Sequence, residues 1–144
     1  MPLQLIHPVQ RTTHRIGLYL ERLGEKQLTQ GEAHILALLA HSSPANIADL
    51  HRGLAHKRST LTSILDRLVG RGLITRKVGE SDRRTFVITP TAKGRKLAKC
   101  ISRHLSDLER AVVRRVGAAD INGFKNVISA LEEEAHHRTR AKQR

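Results

Sequence analysis

The sequence has few aromatic residues, a single cysteine and no long apolar run, and each shortage excludes a class of protein. Aromatic residues make up 2% of the chain and tryptophan is absent, so the stacking surfaces that bind single-stranded nucleic acids can hardly be built. Cys100 has no second cysteine with which to form an internal disulfide. No apolar run reaches the roughly 18 residues that a membrane span needs. The N-terminal residues lack the pattern of a secretion signal, and we therefore expect a cytoplasmic protein.

Positive charge is what the chain has in excess. Lysine and arginine number 26 against 13 aspartate and glutamate, which gives a net charge of +13. Residues 1–50 carry four bases and four acids, whereas residues 51–84 carry nine bases and three acids. A basic block within a folded region favours a polyanionic partner. Double-stranded DNA is favoured over an anionic membrane surface, and we expect no membrane partner.

Two helices are predicted in the first part of the chain. Apolar residues spaced seven, four and three positions apart form one helical stripe over residues 8–23, and Gly24 is expected to end that helix. Thr29 followed by Glu32 resembles a capping box, in which each side chain binds the backbone N–H of the other residue. This pair predicts a second helix over about residues 30–41.

A short helix and a longer one follow. Ser43 as N-cap and Pro44 at the first helical position predict a short helix that Gly53 closes. Over residues 57–69, apolar residues at i, i+3, i+4 and i+7 predict a helix with one packed face and one polar face. These apolar residues are Leu61, Ile64, Leu65 and Leu68.

A β-hairpin is predicted after that helix. Gly70 and Gly72 are expected to stop the helix, and the alternation of residues 73–78 predicts a strand. The turn-forming and basic residues 79–84 lead into a second strand over residues 85–89. The hairpin therefore presents a basic tip.

The last third of the chain predicts two more helices. Thr91 is expected to cap a long helix with apolar residues every three or four positions, and Gly117 is expected to break it. Asp120 is expected to cap a final helix with one apolar face. The order of short helix, turn, helix and basic hairpin is typical of a winged helix-turn-helix, whose second helix enters the major groove of DNA.

Three stretches resemble a known family. They read LTQGEAHILALL from Leu28, KRSTLTSILDRLVGRGLITR from Lys57 and ESDRRTFVITPTAKG from Glu80. In these motifs and in their order, the chain resembles the MarR (multiple antibiotic resistance regulator) family of winged helix-turn-helix transcription factors. The combination is specific, whereas a single Ser-Thr-rich helix would indicate nothing.

The resemblance implies a mainly α-helical fold with a small β-hairpin wing. The winged helix-turn-helix lobe would span residues 28–94 of a single domain, 1–144, with dimerisation helices at 1–24 and 91–137. The expected function is a repressor that binds a pseudo-palindromic operator as a homodimer. A small anionic or phenolic effector would bind between the dimer helices and the DNA-binding lobe. We expect no cofactor and no enzymatic activity, because no catalytic or nucleotide-binding fingerprint occurs.

The candidate DNA contacts lie on the helix over residues 57–69 and on the wing. Short hydroxyl side chains let a helix approach base edges closely, and basic side chains bind phosphates or guanine. By resemblance, one wing arginine enters the minor groove, and Arg83 is favoured for that role. The predicted DNA-binding residues are Lys57, Arg58, Ser59, Thr60, Thr62, Ser63, Arg67, Arg83 and Arg84.

Alternatives remain for individual residues and for the whole chain. Ser59 or Thr60 could cap the first turn of the helix, and Asp82 could either orient an arginine or cap the wing turn. Lys57 departs from the acidic or small cap usual in the family, which weakens the helix start and adds a phosphate contact. The alternative function is a non-specific architectural protein that binds DNA or RNA through charge alone.

Metal binding and redox sensing have little support. Cys100 and His104 lie four residues apart on a predicted helix, and His136 and His137 lie in the last one. No spacing typical of a metal motif occurs, and we expect no metal. For Cys100, an inert buried thiol is favoured over an oxidant sensor.

Overall fold

Residues 3–23 and 28–142, which the computed structural model describes, form six helices and three short strands. In chain order they are α1 (Ile6–Leu23), α2 (Gln30–Leu39), β1 (Ala45–Asn46), α3 (Ile47–Leu54), α4 (Arg58–Gly70), β2 (Ile74–Val78), β3 (Phe86–Pro90), α5 (Ala92–Val113) and α6 (Ala118–Ala141). The expected fold class is therefore confirmed. The chain divides into two units, Met1–His104 and Leu105–Arg144, and all nine predicted DNA-binding residues belong to the first.

The three strands form one antiparallel sheet in the order β1-β3-β2. β2 and β3 are the predicted hairpin, in which Val78 pairs with Phe86 near the tip and Ile74 pairs with Pro90 at the base. Ile74 is buried, whereas the four residues after it in β2 are exposed. The base of the hairpin therefore belongs to the core and its tip lies in solvent.

α4 packs through the apolar stripe that its sequence predicts. Each of its four stripe residues is at most 4% exposed, and burial of a side chain of this size contributes roughly 1.5–3 kcal/mol. The neighbouring helix α2 is buried along most of its length. A Cβ atom on Gly31 of α2 would lie 2.9 Å from Cδ1 of Ile64, so the two helices are closely packed at this point.

α2 is also tied to the helices on either side of it. The side-chain amide of Gln30 donates to the carbonyl oxygen of Thr13 in α1 at 3.3 Å, and Nε2 of His41 lies 2.6 Å from Oγ of Ser102 in α5. α1 begins at Ile6, two residues earlier than predicted. The prediction that Gly24 ends α1 lies outside the described residues.

The predicted start of the short helix is wrong. Ser43 and Pro44 precede β1, and α3 begins only at Ile47 because residues 45–46 are hydrogen-bonded to β3. Asn46 is the N-cap, and its side-chain oxygen accepts a hydrogen bond from the backbone N–H of Asp49 at 2.7 Å. An asparagine at this position satisfies an N–H that the helix leaves unpaired.

Two other predicted helix ends are also corrected. Gly53 lies inside α3, which ends at Leu54 with Ala55 in the left-handed conformation at φ 54°. Gly117, not Asp120, is the N-cap of α6, because its carbonyl oxygen accepts the first backbone hydrogen bonds of that helix. Asp120 lies in the first turn, where its negative charge favours the helix N-terminus.

The junction from α4 to β2 has the predicted glycine signal. Gly72 adopts φ 70°, a conformation that glycine reaches without steric cost. Its N–H donates to the carbonyl of Val69 at 2.9 Å, and the N–H of Leu73 donates to the carbonyl of Leu68 at 3.0 Å. This pair of bonds is a Schellman motif, which satisfies the last carbonyls of α4 and turns the chain into the wing.

α5 begins against the same junction. Oγ1 of Thr91 donates to the carbonyl of Gly72 at 2.7 Å and accepts from the N–H of Gly94 at 3.1 Å, so the predicted cap is confirmed. A Cβ atom on Gly94 would lie 1.8 Å from the carbonyl oxygen of Leu73. The Thr-x-x-Gly motif therefore lets the first turn of α5 lie directly on the backbone that leads into β2.

The second unit contains the C-terminal end of α5 and the whole of α6. No residue of α6 is buried. Large apolar side chains are exposed along both helices, and Phe124 is 61% exposed. The others are Leu108, Val112, Val113 and Val127, and Val116 in the connection between the two helices is exposed as well. A helix pair with this much exposed apolar surface has the composition of an interaction surface.

Candidate nucleic-acid interface

The N-terminal end of α4 carries most of the predicted DNA-binding residues. α4 begins at Arg58, and Lys57 is its N-cap without a side-chain hydrogen bond. The alternative in which Ser59 or Thr60 caps the first turn is therefore wrong. The hydroxyls of these two residues lie on the exposed surface, and the unpaired N–H groups of the first turn lie close by.

All nine predicted residues are exposed. On α4 the exposed hydroxyls lie opposite the buried apolar stripe, as the spacing predicts. Oγ of Ser63 donates to the carbonyl of Ser59 at 3.0 Å, which leaves the oxygen lone pairs of Ser63 available as acceptors. The polar face therefore presents short donors and acceptors on a rigid helix.

Arg67 has a structural partner that its position in the sequence does not reveal. Its Nε donates to Oε1 of Glu32 at 2.9 Å, and Nη1 of Arg71 donates to Oε2 of the same carboxylate at 3.0 Å. Glu32 is 2% exposed. Thr29 does cap α2, since its oxygen accepts from the N–H of Glu32, but the Glu32 carboxylate binds the two arginines and does not complete the predicted capping box.

The wing tip is held by Asp82. Oδ1 of Asp82 accepts a hydrogen bond from the N–H of Arg84 at 3.0 Å, and its carbonyl accepts from the N–H of Thr85 at 3.1 Å. Of the two roles left open for Asp82, the structure thus shows the turn cap. A Cβ atom on Gly79 would lie 2.9 Å from the carbonyl oxygen of Asp82, so this tight turn excludes a side chain there. Arg83 and Arg84 are both exposed.

Arg76 joins the wing to α4 and was not among the predicted residues. Its Nη2 lies 3.0 Å from Oδ1 of Asp66 in α4, and its guanidinium lies 5.6 Å from the ring centre of Phe86 in β3. A cation–π contact of this kind contributes roughly 0.5–1 kcal/mol at an exposed site. Arg76 pairs with Ile88 in the hairpin, and this register depends on the pairing of the two strands, which the sequence pattern alone does not give.

A cleft of about 360 Å³ separates the start of α4 from α3 and the wing. Its apolar part includes Leu61 and Phe86, and three arginines, Arg52, Arg58 and Arg84, contribute to its lining. Arg52 is ion-paired with Asp49 and was also not predicted. The cleft brings together cations from three elements, and such a cluster attracts phosphate.

A second cavity of about 710 Å³ lies at the other end of α4. Among the described residues that line it are three cations and several apolar side chains, in full Leu23, Leu28, Arg71, Leu73, Lys93, Lys96, Leu97 and Cys100. An apolar cavity with convergent charged groups has the general character of a small-molecule site.

The described residues, 3–23 and 28–142, contain neither a candidate metal-binding group nor a candidate membrane-spanning helix. There, no group of three or more histidine, cysteine, aspartate or glutamate side chains is arranged to hold a metal ion. Within the same ranges, none of the helices combines the length and apolarity that crossing a membrane requires.

A helix-turn-helix with an exposed polar helix, followed by a basic β-hairpin, defines the winged helix-turn-helix class of DNA-binding proteins. Comparison with known proteins agrees. The model of the MarR family matches residues 28–86. The HTH-type transcriptional regulator FarR of Neisseria gonorrhoeae is 27% identical over 109 residues, which cover 76% of this chain and 75% of FarR.

Two solved structures share the fold. The MepR–DNA complex of S. aureus superposes with a TM-score of 0.77 at 19% identity, covering 90% of this chain and 96% of MepR. The PcaV regulator of Streptomyces coelicolor, solved with its natural ligand, gives a TM-score of 0.76 at 17% identity, covering 94% and 97%. The MarR family model therefore matches the part of the chain that carries most of the sequence resemblance, and the two solved regulators share the fold of this chain.

Proposed function

We propose that the protein is a sequence-specific repressor that binds a pseudo-palindromic operator in double-stranded DNA as a homodimer and releases it when a small anionic or phenolic effector binds. The observation that carries the proposal is the exposed polar face of α4, opposite a fully packed stripe and beside a basic wing. A protein that binds DNA through charge alone needs no short hydroxyls on such a face.

The proposed contacts divide into three groups. Ser59, Thr60, Thr62 and Ser63 face base edges in the major groove, where hydroxyls donate or accept. Lys57, Arg58 and Arg84 bind phosphates, a role supported for the two arginines by the cleft that they line. Arg83, exposed at the wing tip, enters the minor groove. The ion pair with Glu32 makes Arg67 a support of α4, with its half-exposed side chain as a secondary phosphate contact.

The proposed dimer is supported by exposed apolar surface on the helices outside the DNA-binding lobe, residues 28–94. In the first unit, α1 exposes Leu18 and Ile16, and in the second unit no residue of α6 is buried. The MepR and PcaV chains have nearly the same extent as this chain. A two-fold dimer would place two copies of α4 about one helical turn of DNA apart, roughly 34–36 Å.

The proposed effector site is the 710 Å³ cavity at the C-terminal end of α4. Its apolar side chains suit an aromatic ring, and Arg71, Lys93 and Lys96 suit an anionic group. The PcaV structure was solved with a natural ligand, which supports ligand control for this chain as well. Such a ligand acts by binding more tightly to a form of the protein that does not fit the operator.

Selection from a random pool of DNA duplexes tests sequence recognition and supplies the operator sequence at the same time. We expect an inverted repeat whose half-sites are centred about 10 base pairs apart. A pool that stays random after several rounds, with binding that vanishes as salt rises, would instead identify the non-specific architectural protein.

Alanine substitutions then test the assigned residues on the selected site. Ser63→Ala and Arg83→Ala should weaken binding to the selected duplex by roughly 5- to 150-fold, about 1–3 kcal/mol, and change binding to random duplex far less. Ser106→Ala and Arg103→Ala are matched controls, because both residues are exposed on α5 and neither is among the proposed DNA contacts. An equal loss of affinity for both duplexes would contradict a role of Ser63 and Arg83 in sequence-specific recognition.

A further inference from the structure

Glu32 is a buried carboxylate that holds the C-terminal end of α4. Its side chain is 3% exposed, and each of its two oxygens accepts a hydrogen bond from a different arginine, Arg67 at 2.9 Å and Arg71 at 3.0 Å. Burying a carboxylate is costly unless it is paired and hydrogen-bonded. The two arginines therefore compensate the charge of Glu32 and link α2 to α4 at a defined spacing.

Arg71 differs from Arg67 because it also lines the 710 Å³ cavity. It is the C-cap of α4, and its side chain is 33% exposed, against 50% for Arg67. Lys93 and Lys96 line the same cavity. One guanidinium thus belongs both to the buried ion pair that positions α4 and to the surface that an anionic ligand would contact.

We propose that Arg71 couples the cavity to the DNA-binding helix: an anionic ligand in the cavity competes with Glu32 for the guanidinium of Arg71 and so weakens the attachment of α4 to α2. This inference rests on the proposed ligand control and specifies how it works. Ligand and Glu32 both carry negative charge, and a guanidinium that turns its N–H groups toward one anion has fewer to offer the other.

The remaining ion pair explains why the lobe stays folded when Arg71 is withdrawn. Arg67 still neutralises Glu32 from within α4, so the carboxylate is never left buried without a partner. The buried apolar stripe of α4 also holds this helix to the core without either arginine. Ligand binding therefore shifts the end of α4 between two packed arrangements, and the operator distinguishes them through the positions of the two recognition helices.

The test measures how strongly the ligand changes DNA affinity in variants of the full-length protein. The probe is salicylate, an aromatic anion, with the neutral salicylamide as a control for shape. Operator affinity is measured by anisotropy with and without saturating probe, and probe binding is measured separately by calorimetry. Circular dichroism confirms that each variant is folded.

Two substitutions abolish the proposed competition. Glu32→Gln removes the negative charge that competes with the ligand, and Arg71→Met removes the guanidinium for which both compete. For wild type we expect saturating salicylate to weaken operator binding by about 10-fold or more, within the range usual for coupled sites, and salicylamide to have little effect. Both variants should respond less than about 2-fold to salicylate, and Glu32→Gln should still bind it because every cavity residue is kept. Arg71→Lys should restore part of the response.

Lys96→Met is the matched control. Lys96 lines the cavity but does not take part in the ion pairs that Arg67 and Arg71 make with Glu32. Its loss should therefore weaken salicylate binding and leave unchanged the loss of operator affinity at saturating salicylate. A full response in both Glu32→Gln and Arg71→Met would overturn the coupling role and leave ligand control standing. A wild type that fails to bind salicylate, or binds it without losing operator affinity, would contradict both proposals.

Discussion

Gly94 leaves no room for a side chain, and its replacement by alanine should destabilise the winged-helix lobe. The added Cβ atom would lie 1.8 Å from the carbonyl oxygen of Leu73, where ordinary contact begins at 3.4 Å. The obstacle is backbone, so α5 must move away from β2 as a unit. That movement stretches the hydrogen bonds that Thr91 makes to Leu73 at 3.0 Å and to Gly72 at 2.7 Å.

The expected magnitude follows from these two effects. Overpacking costs roughly 1–3 kcal/mol, each weakened hydrogen bond costs about 0.5–1.5 kcal/mol, and alanine returns about 1 kcal/mol through helix propensity. Gly94→Ala should therefore lower the free energy of unfolding by about 1–5 kcal/mol. The control is Gly53→Ala in α3, because a Cβ atom there meets nothing within 4 Å. This substitution should raise the free energy of unfolding by about 0.5–1 kcal/mol.

Urea titrations followed by circular dichroism measure both variants, at one protein concentration because a dimer makes stability concentration-dependent. Opposite signs for the same chemical change are the expected result. If Gly94→Ala unfolded within about 0.5 kcal/mol of wild type, the close packing of α5 on the wing base would be refuted.

Three further predictions follow from single side chains. Asn46→Ala removes the cap of α3 and should cost about 1 kcal/mol of unfolding free energy in the same titration. Arg76→Ala breaks the ion pair with Asp66; stability should fall by less than about 1 kcal/mol, while operator affinity measured by anisotropy falls several-fold because the wing is less firmly held. The pKa of His34 is lowered below 6.5, mainly because the side chain is desolvated and to a smaller extent because of the charge of His56. The unfolded chain therefore takes up a proton at His34 more readily than the folded one, so unfolding free energy should fall as pH drops below about 6.5, and less so in His34→Gln.

The elements that the sequence predicts well are those whose signal is local. The stripe of α4 has helical spacing, and all four of its residues are buried. Gly72 and Thr91 mark the two ends of the wing through turn and cap chemistry that involves residues close to them in the chain. A local pattern of this kind is sufficient because its energetic reason lies within one or two turns of helix.

The features that were missed depend on partners far apart in the sequence. β1 has only two residues and exists because it pairs with β3, more than 40 residues later. That pairing also moves the start of α3 from Ser43 to Asn46. Glu32 fits a capping box by spacing, yet its carboxylate binds Arg67 and Arg71, which lie 35 and 39 residues away. No periodicity or spacing rule identifies such a contact.

The candidate site was predictable as a surface but not in its supports. All nine predicted DNA-binding residues are exposed, since a polar face opposite an apolar stripe must face away from the core. The side chains that hold this surface in place, such as Arg76 and Glu32, were not predicted because their roles arise from tertiary contacts. Arg67 is an example: arginine suits both phosphate binding and a buried ion pair, so its position in the sequence does not show which partner it has.

Sequence-specific recognition by α4 is the central claim, and one binding measurement tests it most directly. The fluorescence anisotropy of the duplex upstream of the protein's own gene is compared with that of a scrambled duplex, at two salt concentrations. We predict a preference of roughly 1000-fold or more for the native sequence, maintained as salt weakens both complexes. Equal affinity for the two duplexes, lost together as salt rises, would contradict the account and leave only binding through charge.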